Sequence, residues 1–227
     1  MATKYSPKIV TNGLVLSLDA ANNKSYPGSG TTWTDLSGNG NTGTLTNGPT
    51  FSAANMGSIV FDGVDDYVNI SNASILNNGS QTINIWFLYT SIPGNGVSVF
   101  GKHDSVGSYN GYNLALYNGE VFCQFKPSTN TTAGYVSTAM SANTWTLITV
   151  KFTIGSTLTI YKNGNKISTA ALSSVSMTSQ PIRIGRSLDT YWSPLPGRVA
   201  GVQIYSQELS DYEVLQNYNA TKSRFGL

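Results

Sequence analysis

The sequence predicts an all-β protein, of a length that β-sandwiches commonly reach as one domain, with one short C-terminal helix. Three observations carry that expectation. Apolar and polar residues alternate over many short runs, the period of a half-buried strand. Asn-Gly pairs begin at Asn12, Asn39, Asn47, Asn78, Asn95, Asn110, Asn118 and Asn163, and Asn-Gly favours the positive φ that both central residues of a tight hairpin turn need. Near the end, Ser210 and Glu213 fit a capping box, with Leu209 and Val214 spaced as a hydrophobic staple.

Taken in order, residues 1–12 read as an N-terminal arm and residues 13–227 as a single domain, because no linker-like break or repeat interrupts them. Gly13 to Asp19 is the first strand, with Leu14, Leu16 and Leu18 on one face. Residues 20–48 are rich in Asn, Ser, Gly and Thr and read as a long ordered loop in which Asp35 and Ser37 bond nearby backbone N–H groups. Ser58 to Phe61 and Tyr67 to Ile70 read as a hairpin about Asp62-Gly63-Val64-Asp65. Thr82 to Tyr89 carries Ile83, Ile85 and Phe87 on one side and Trp86 on the other, as a central strand would. Further strands are expected at Val97 to Gly101, Gly111 to Tyr117, Val121 to Phe125 and Tyr135 to Thr138. Residues 143–170 then form a three-stranded meander, in which Val150, Phe152 and Ile154 alternate with polar neighbours, Leu158 and Ile160 do likewise, and Asn163-Gly164 makes the second turn. Ile182 to Gly185 and Arg198 to Tyr205 complete the strands, and the helix runs to about Tyr218.

Composition excludes several classes. Charged residues make up 11% of the 227, and the net charge of +2 comes without any basic run, which argues against phosphate neutralisation on nucleic acid. No apolar stretch reaches the roughly 18 residues of a membrane helix. The N-terminus, MATKYSPKIV, lacks the apolar core of a secretory signal. Cys123, the one cysteine, alternates with Val121 and Phe125 and reads as a buried, inert thiol.

Seven stretches in order resemble the concanavalin A-like lectin/glucanase jelly rolls, in their laminin-G-like branch: GLVLSLDA at Gly13, DLSGNGNTGTL at Asp35, IVFDGVDDYVNI at Ile59, QTINIWF at Gln81, NTWTLITVKF at Asn143, LTIYKNGNKI at Leu158 and GRVAGVQIYSQELSDYEVLQNYNA at Gly197. The resemblance implies two stacked antiparallel sheets of six or seven strands each, with the meander near the middle. The wording of both ends is similar to versions in tailed-bacteriophage virion proteins. What that implies is a non-enzymatic virion accessory protein, a capsid decoration or a tail or fibre component, made in the host cytoplasm without a signal peptide and exposed on the particle. Its partners would be capsid or tail proteins, cell-surface glycans and further copies of itself. A free-standing carbohydrate-binding lectin is the alternative.

A glucan-cleaving hydrolase, the third class, needs two carboxylates about 5–5.5 Å or 6.5–9.5 Å apart. Glu120, Glu208 and Glu213 are not paired on a strand, and Asp65 and Asp66 as neighbours in a strand would face opposite ways. His103, the sole histidine, lies beside Asp104 without a nucleophile elbow and reads as an exposed loop residue. The resemblance raises calcium, for which Asp35, Asn39, Asp62 and Asp65 supply hard oxygens, yet Asx-turn capping explains each of them. Many relatives carry an Asp where this chain has Ala200, and no cofactor is assigned. Sugar binding asks for exposed loop aromatics with polar neighbours. Arg186, Tyr191 and Trp192 in one loop, with His103, Tyr109 and Tyr112 in another, are the candidate ligand or partner residues.

Overall fold

A computed structural model describes residues 7–71, 73–104, 110–127 and 131–227. Among these the chain runs through β1 (Leu14–Asp19), β2 (Thr32–Trp33), β3 (Gly43–Thr46), β4 (Thr50–Ser52), β5 (Ser58–Asp62), β6 (Tyr67–Ile70), β7 (Ser80–Tyr89) and β8 (Val97–His103). It continues through β9 (Gly111–Tyr117), β10 (Glu120–Lys126), β11 (Gly134–Ala139), β12 (Thr146–Thr153), β13 (Thr157–Lys162), β14 (Asn165–Ala171), β15 (Ile182–Ile184) and β16 (Pro196–Tyr205), and ends in α1 (Asp211–Thr221). Two antiparallel eight-stranded sheets result. The first has the order β14-β13-β12-β7-β16-β5-β4, with β1 also paired to β16; the second has the order β11-β10-β9-β8-β15-β6-β3-β2.

Inward-facing residues of both sheets form one core, including Ile83, Ile85 and Phe87 of β7, Leu114 and Leu116 of β9, and Val150 and Phe152 of β12. The meander pairs as expected, with Val150 opposite Ile160 and Ile160 opposite Ser168. Its Asn163-Gly164 turn has φ of 51° and 78°, the values a hairpin matched to strand twist requires. It forms one flank of its sheet with β14 at the edge, so the expectation that it lies near the middle is met only by β12, which pairs with the central β7.

Three expectations are corrected. The proposed hairpin at 58–70 does not exist: β5 pairs with β16 and β4, whereas β6 pairs with β3 and β15 in the other sheet. Ile59, Phe61, Val68 and Ile70 all enter the core, and strands facing each other across a core have the same alternation as strands sharing a sheet. Residues 20–48 hold β2 and β3 as well as loop; strands of two and four residues are too short to show a period. On β1 a register shift between Leu14 and Leu16 turns Leu14 off the face shared by Leu16 and Leu18, so it packs against the opposite cluster with Val10 and Tyr205.

Outside the first sheet, α1 lies against Tyr161, Tyr205 and Leu209, and its capping box is formed as expected, Ser210 with Glu213. Part of the N-terminal arm is tied down here. Val10 N–H donates to Asn217 Oδ1 (2.8 Å), the Tyr205 hydroxyl donates to the Val10 carbonyl (3.0 Å), and Gln216 Nε2 donates to the Lys8 carbonyl (2.8 Å). Residues 1–6 lie outside the described residues.

Within the former loop, buried Asp35 is the organising group. Its carboxylate accepts backbone N–H bonds from Ser17 (2.8 Å), Ser37 (2.9 Å) and Asn41 (2.9 Å). Replacing Asp35 with Ala leaves these donors unmet, so the loss should be about 2–4 kcal/mol. Urea denaturation checks it: the midpoint should fall at unchanged m-value.

Candidate functional site

The outer face of the second sheet provides the floor of a cleft. On β9, Tyr112 and Leu114 point into the core, so Asn113 between them points out; on β10, Cys123 and Phe125 point in and Gln124 points out. Asn113 and Gln124 are direct cross-strand partners. His103, at the end of β8, and Lys126, at the end of β10, extend this floor.

The segment between β15 and β16, residues 185–195, supplies the wall. Its base is held by backbone bonds from Gly185 N to Val99 O (2.8 Å), Leu195 N to Gly185 O (2.7 Å), Ser193 N to Gly96 O (3.0 Å) and Ser98 N to Ser193 O (3.0 Å). Trp192 leans on Phe122 with ring centres 5.5 Å apart, and Tyr191 meets Trp192 edge-on at 5.0 Å. Gly96 makes room for the indole, since a Cβ there would lie 2.8 Å from Trp192 Cζ3. Floor and wall enclose a cavity of about 350 Å³, with Tyr191 56% exposed at its rim and Asp189 beneath it.

Below the cleft surface runs a chain of hydrogen bonds. His103 Nδ1 lies 2.7 Å from the Asp104 carbonyl. A carbonyl only accepts, so Nδ1 carries the hydrogen and Nε2 has a free lone pair. Ser187 Oγ, 2.8 Å from that Nε2, donates to it and itself accepts from Asp189 N (2.9 Å), while Asp189 Oδ1 accepts from Tyr191 N (2.8 Å). Burial is the main cause that pushes the His103 pKa below its ordinary value; the Asp104 carbonyl and the Asp189 and Asp104 charges oppose it, and the Lys126 charge adds to it.

The sequence profile described as the concanavalin A-like lectin/glucanases superfamily, in its Laminin_G_3 family, matches residues 62–215. The chain belongs to this superfamily. No curated protein matches the sequence. Solved structures share the fold: the binding domain of Paraclostridial mosquitocidal protein 1, with TM-score 0.73 and 17% identity, covers 92% of this chain and 52% of its own. The receptor-binding domain of the botulinum neurotoxin C/D mosaic serotype gives 0.73 and 15%, over 92% and 51%. A binding domain of botulinum neurotoxin DC in complex with SialylT gives 0.72 and 15%, over 93% and 52%. This superfamily member thus spans about half of each of those chains, and at such identities the likeness concerns the fold.

The cleft brings together four of the six sequence candidates, His103, Tyr112, Tyr191 and Trp192. Two of these differ from expectation. His103 is not an exposed loop residue: β8 runs two residues beyond the predicted Gly101, and the side chain is 7% exposed. Tyr112 lies in the strand expected at Gly111 to Tyr117, but its ring is in the core and not exposed, 5.2 Å from Phe125 and 5.6 Å from Phe152. Arg186 points away from the cleft, toward the Asp65 carbonyl. Tyr109 lies outside the described residues. Sequence reasoning missed Asn113, Gln124, Lys126, Ser187 and Asp189. The first two were legible as the polar members of period-two runs, whereas nothing in RSLDTYW marks Ser187 as the partner of a histidine 84 residues away.

The calcium candidates separate. Asp35 spends its oxygens on the loop it organises, and Asn39 donates to the Leu14 carbonyl (3.3 Å). Asp62, Asp65 and Asp66 bring carboxylate oxygens within 4.8 Å of one another at the passage between sheets. Asp62 there accepts from Val64 N (2.8 Å) and Asp66 from Asp62 N (3.0 Å), bonds that account for both positions as caps. The glutamates lie elsewhere: Glu208 accepts from Thr153 Oγ1 (2.9 Å), Glu213 closes the capping box, and Glu120 is the exposed first residue of β10.

Cys123 is sealed in the core, and burial pushes its thiol pKa up. An Ellman-type thiol reagent should therefore label the native protein only at the rate of unfolding. Labelling of folded protein within minutes would contradict that placement.

Proposed function

We propose that this chain is a non-enzymatic carbohydrate-binding domain whose ligand lies in the cleft between β8–β10 and the 185–195 segment. One observation carries the reading: an aromatic wall, Tyr191 and Trp192 with Asp189 beside them, faces a polar floor that includes Asn113 and Gln124 across one cavity. A sugar ring offers an apolar C–H face and a rim of hydroxyls, and this pairing of surfaces answers both. Two further facts support binding without hydrolysis. Among the described residues lining the cavity, Asp189 is the one carboxylate, where glycoside cleavage uses two. Ser187 is 3% exposed, so the hydroxyl bonded to His103 is closed to a substrate.

For the setting we propose the exposed surface of a phage virion, docked on capsid or tail proteins. The wording of the chain ends supports it, and so does geometry: residues 8–10 and α1 lie on the outer face of the first sheet, while the cleft lies on the outer face of the second. A particle held through the first face leaves the cleft directed outward.

A glycan array with untagged protein tests the binding reading. Trp192→Ala and Tyr191→Ala should each weaken a positive glycan about tenfold. Binding that survives both substitutions would place the ligand elsewhere. Co-purification with phage particles, in the absence of any glycan signal, would leave docking as the function and remove the sugar.

A further inference from the structure

The cavity lining does not explain why the chain's one histidine is buried beneath it. The Asp104 carbonyl anchors His103 Nδ1, and three consecutive contacts then link that imidazole to the aromatic wall: His103 Nε2 to Ser187 Oγ, Ser187 Oγ to Asp189 N, and Asp189 Oδ1 to Tyr191 N. His103, Ser187 and Asp189 are 7%, 3% and 5% exposed, so water does not readily replace a broken link. Beyond the base of the segment, this chain of bonds fixes its outer turn, residues 187–191, to β8. We propose that His103 is a positioning residue, that only its neutral form holds Tyr191 and Trp192 in the binding arrangement, and that the cleft releases its sugar on acidification. The inference rests on the carbohydrate reading for its ligand, but the fastening itself does not.

The polarity of the chain gives the direction. A neutral imidazole with its hydrogen on Nδ1 accepts the Ser187 hydroxyl at Nε2. A protonated imidazole presents N–H at both nitrogens, so Nε2 can no longer accept. The Ser187 oxygen can then accept from Nε2–H as well as from the Asp189 N–H. Its own hydrogen, however, loses the acceptor it has in the neutral form, inside a site that is 3% exposed, so the link persists only with an unpartnered buried donor. The charged groups facing His103 are Asp104 at the end of its own strand, Asp189 on the wall and Lys126 on β10. Asp104 is already engaged, accepting from Thr178 Oγ1 and from Asn110 Nδ2. A protonated imidazole is attracted to both carboxylates, and the pull toward Asp189 acts on the group that orders Tyr191.

The sign follows from linkage. Burial lowers the folded-state pKa of His103 below that of the unfolded chain, about 6.5. The neutral form is thus favoured in the fold, and the stability it confers is complete above about pH 6.5 and falls as pH drops from there toward the folded pKa. If the sugar binds only the neutral form, its Kd rises by up to tenfold per pH unit below the folded pKa.

One histidine in the chain makes the test direct, because the imidazole NMR signals of untagged protein belong to His103 alone. Its titration midpoint should lie below about 6.5. Amide protection factors at residues 187–191, taken relative to the intrinsic exchange rate at each pH, should fall through that midpoint while those of β7 and β12 stay high. Affinity for the array-positive glycan should fall over the same range, and His103→Gln, which keeps a side-chain acceptor but does not titrate, should flatten both profiles whatever its affinity at pH 7. A wall with equal protection factors at pH 7 and pH 5, or an imidazole that titrates with no effect on them, would overturn the proposal. Glycan binding that is flat with pH overturns it while leaving the carbohydrate reading standing. A wall that opens with His103 in a protein that binds no glycan does the reverse: it keeps the fastening and removes the ligand.

Discussion

Strand β16 is the constraint on which the rest of the sandwich depends. Along one edge it pairs with β7, from Gly197 opposite Tyr89 to Tyr205 opposite Thr82. Its other edge is shared, β5 taking Pro196 to Val199 and β1 taking Gly201 to Tyr205. Ala200 stands at the change, where its carbonyl accepts from Ala20 N (3.0 Å). With both edges committed, the start of β16 cannot shift, yet the chain arrives there from β15 in the opposite sheet. The crossing must be made by residues 185–195, and its backbone bonds to Val99, Gly96 and Ser98 fix where it passes. The aromatic wall of the cleft is thus part of a connection the topology requires.

The two outer faces of the sandwich are used differently. On the first sheet, Trp86 is covered by Phe225 (4.2 Å) and Tyr218 (6.0 Å), and Tyr205, Asn217 and Val10 close a ring of hydrogen bonds. That face is apolar in sequence, Trp86, Leu147, Tyr161 and Tyr205 among its members, and the chain ends supply its cover. On the second sheet, the outward positions of β9 and β10 include Phe122, which Trp192 and Tyr135 cover, and beside it the polar pair Asn113 and Gln124. A polar face carries little drive to be covered by the protein's own helix, which leaves it open to a ligand.

Strand and turn positions were largely legible because they are local. The turns at Asn118-Gly119 and Asn163-Gly164 and the capping box at Ser210 depend on residues within four positions of one another, and each forms as read. Sheet membership was not legible at Asp62–Asp66, since alternation reports which side of a strand is buried and is silent on which neighbour it pairs with. The register shift at Leu14 was invisible for the same reason: a bulge changes the face of a residue without changing its identity. In the cleft, Tyr191 and Trp192 could be read as loop aromatics. The role of His103 could not, because it depends on a partner in another sheet connection and on two further residues of strand that sequence had assigned to a loop.

Ser187 and His103 show how far residue identity falls short of chemistry. A hydroxyl 2.8 Å from an imidazole whose other nitrogen is anchored is the arrangement of a nucleophile and its base. Here the hydroxyl is beneath the cleft floor, and its oxygen already accepts the Asp189 N–H. Access, not distance, separates the two roles: a serine open to the cavity could attack a bound substrate, whereas a sealed one can only transmit the state of the imidazole to the backbone that carries Tyr191. The same neutral histidine that a hydrolase would use to take up a proton serves in this geometry to hold a wall in place, and its protonation acts on the shape of the cleft instead of on a bond of the ligand.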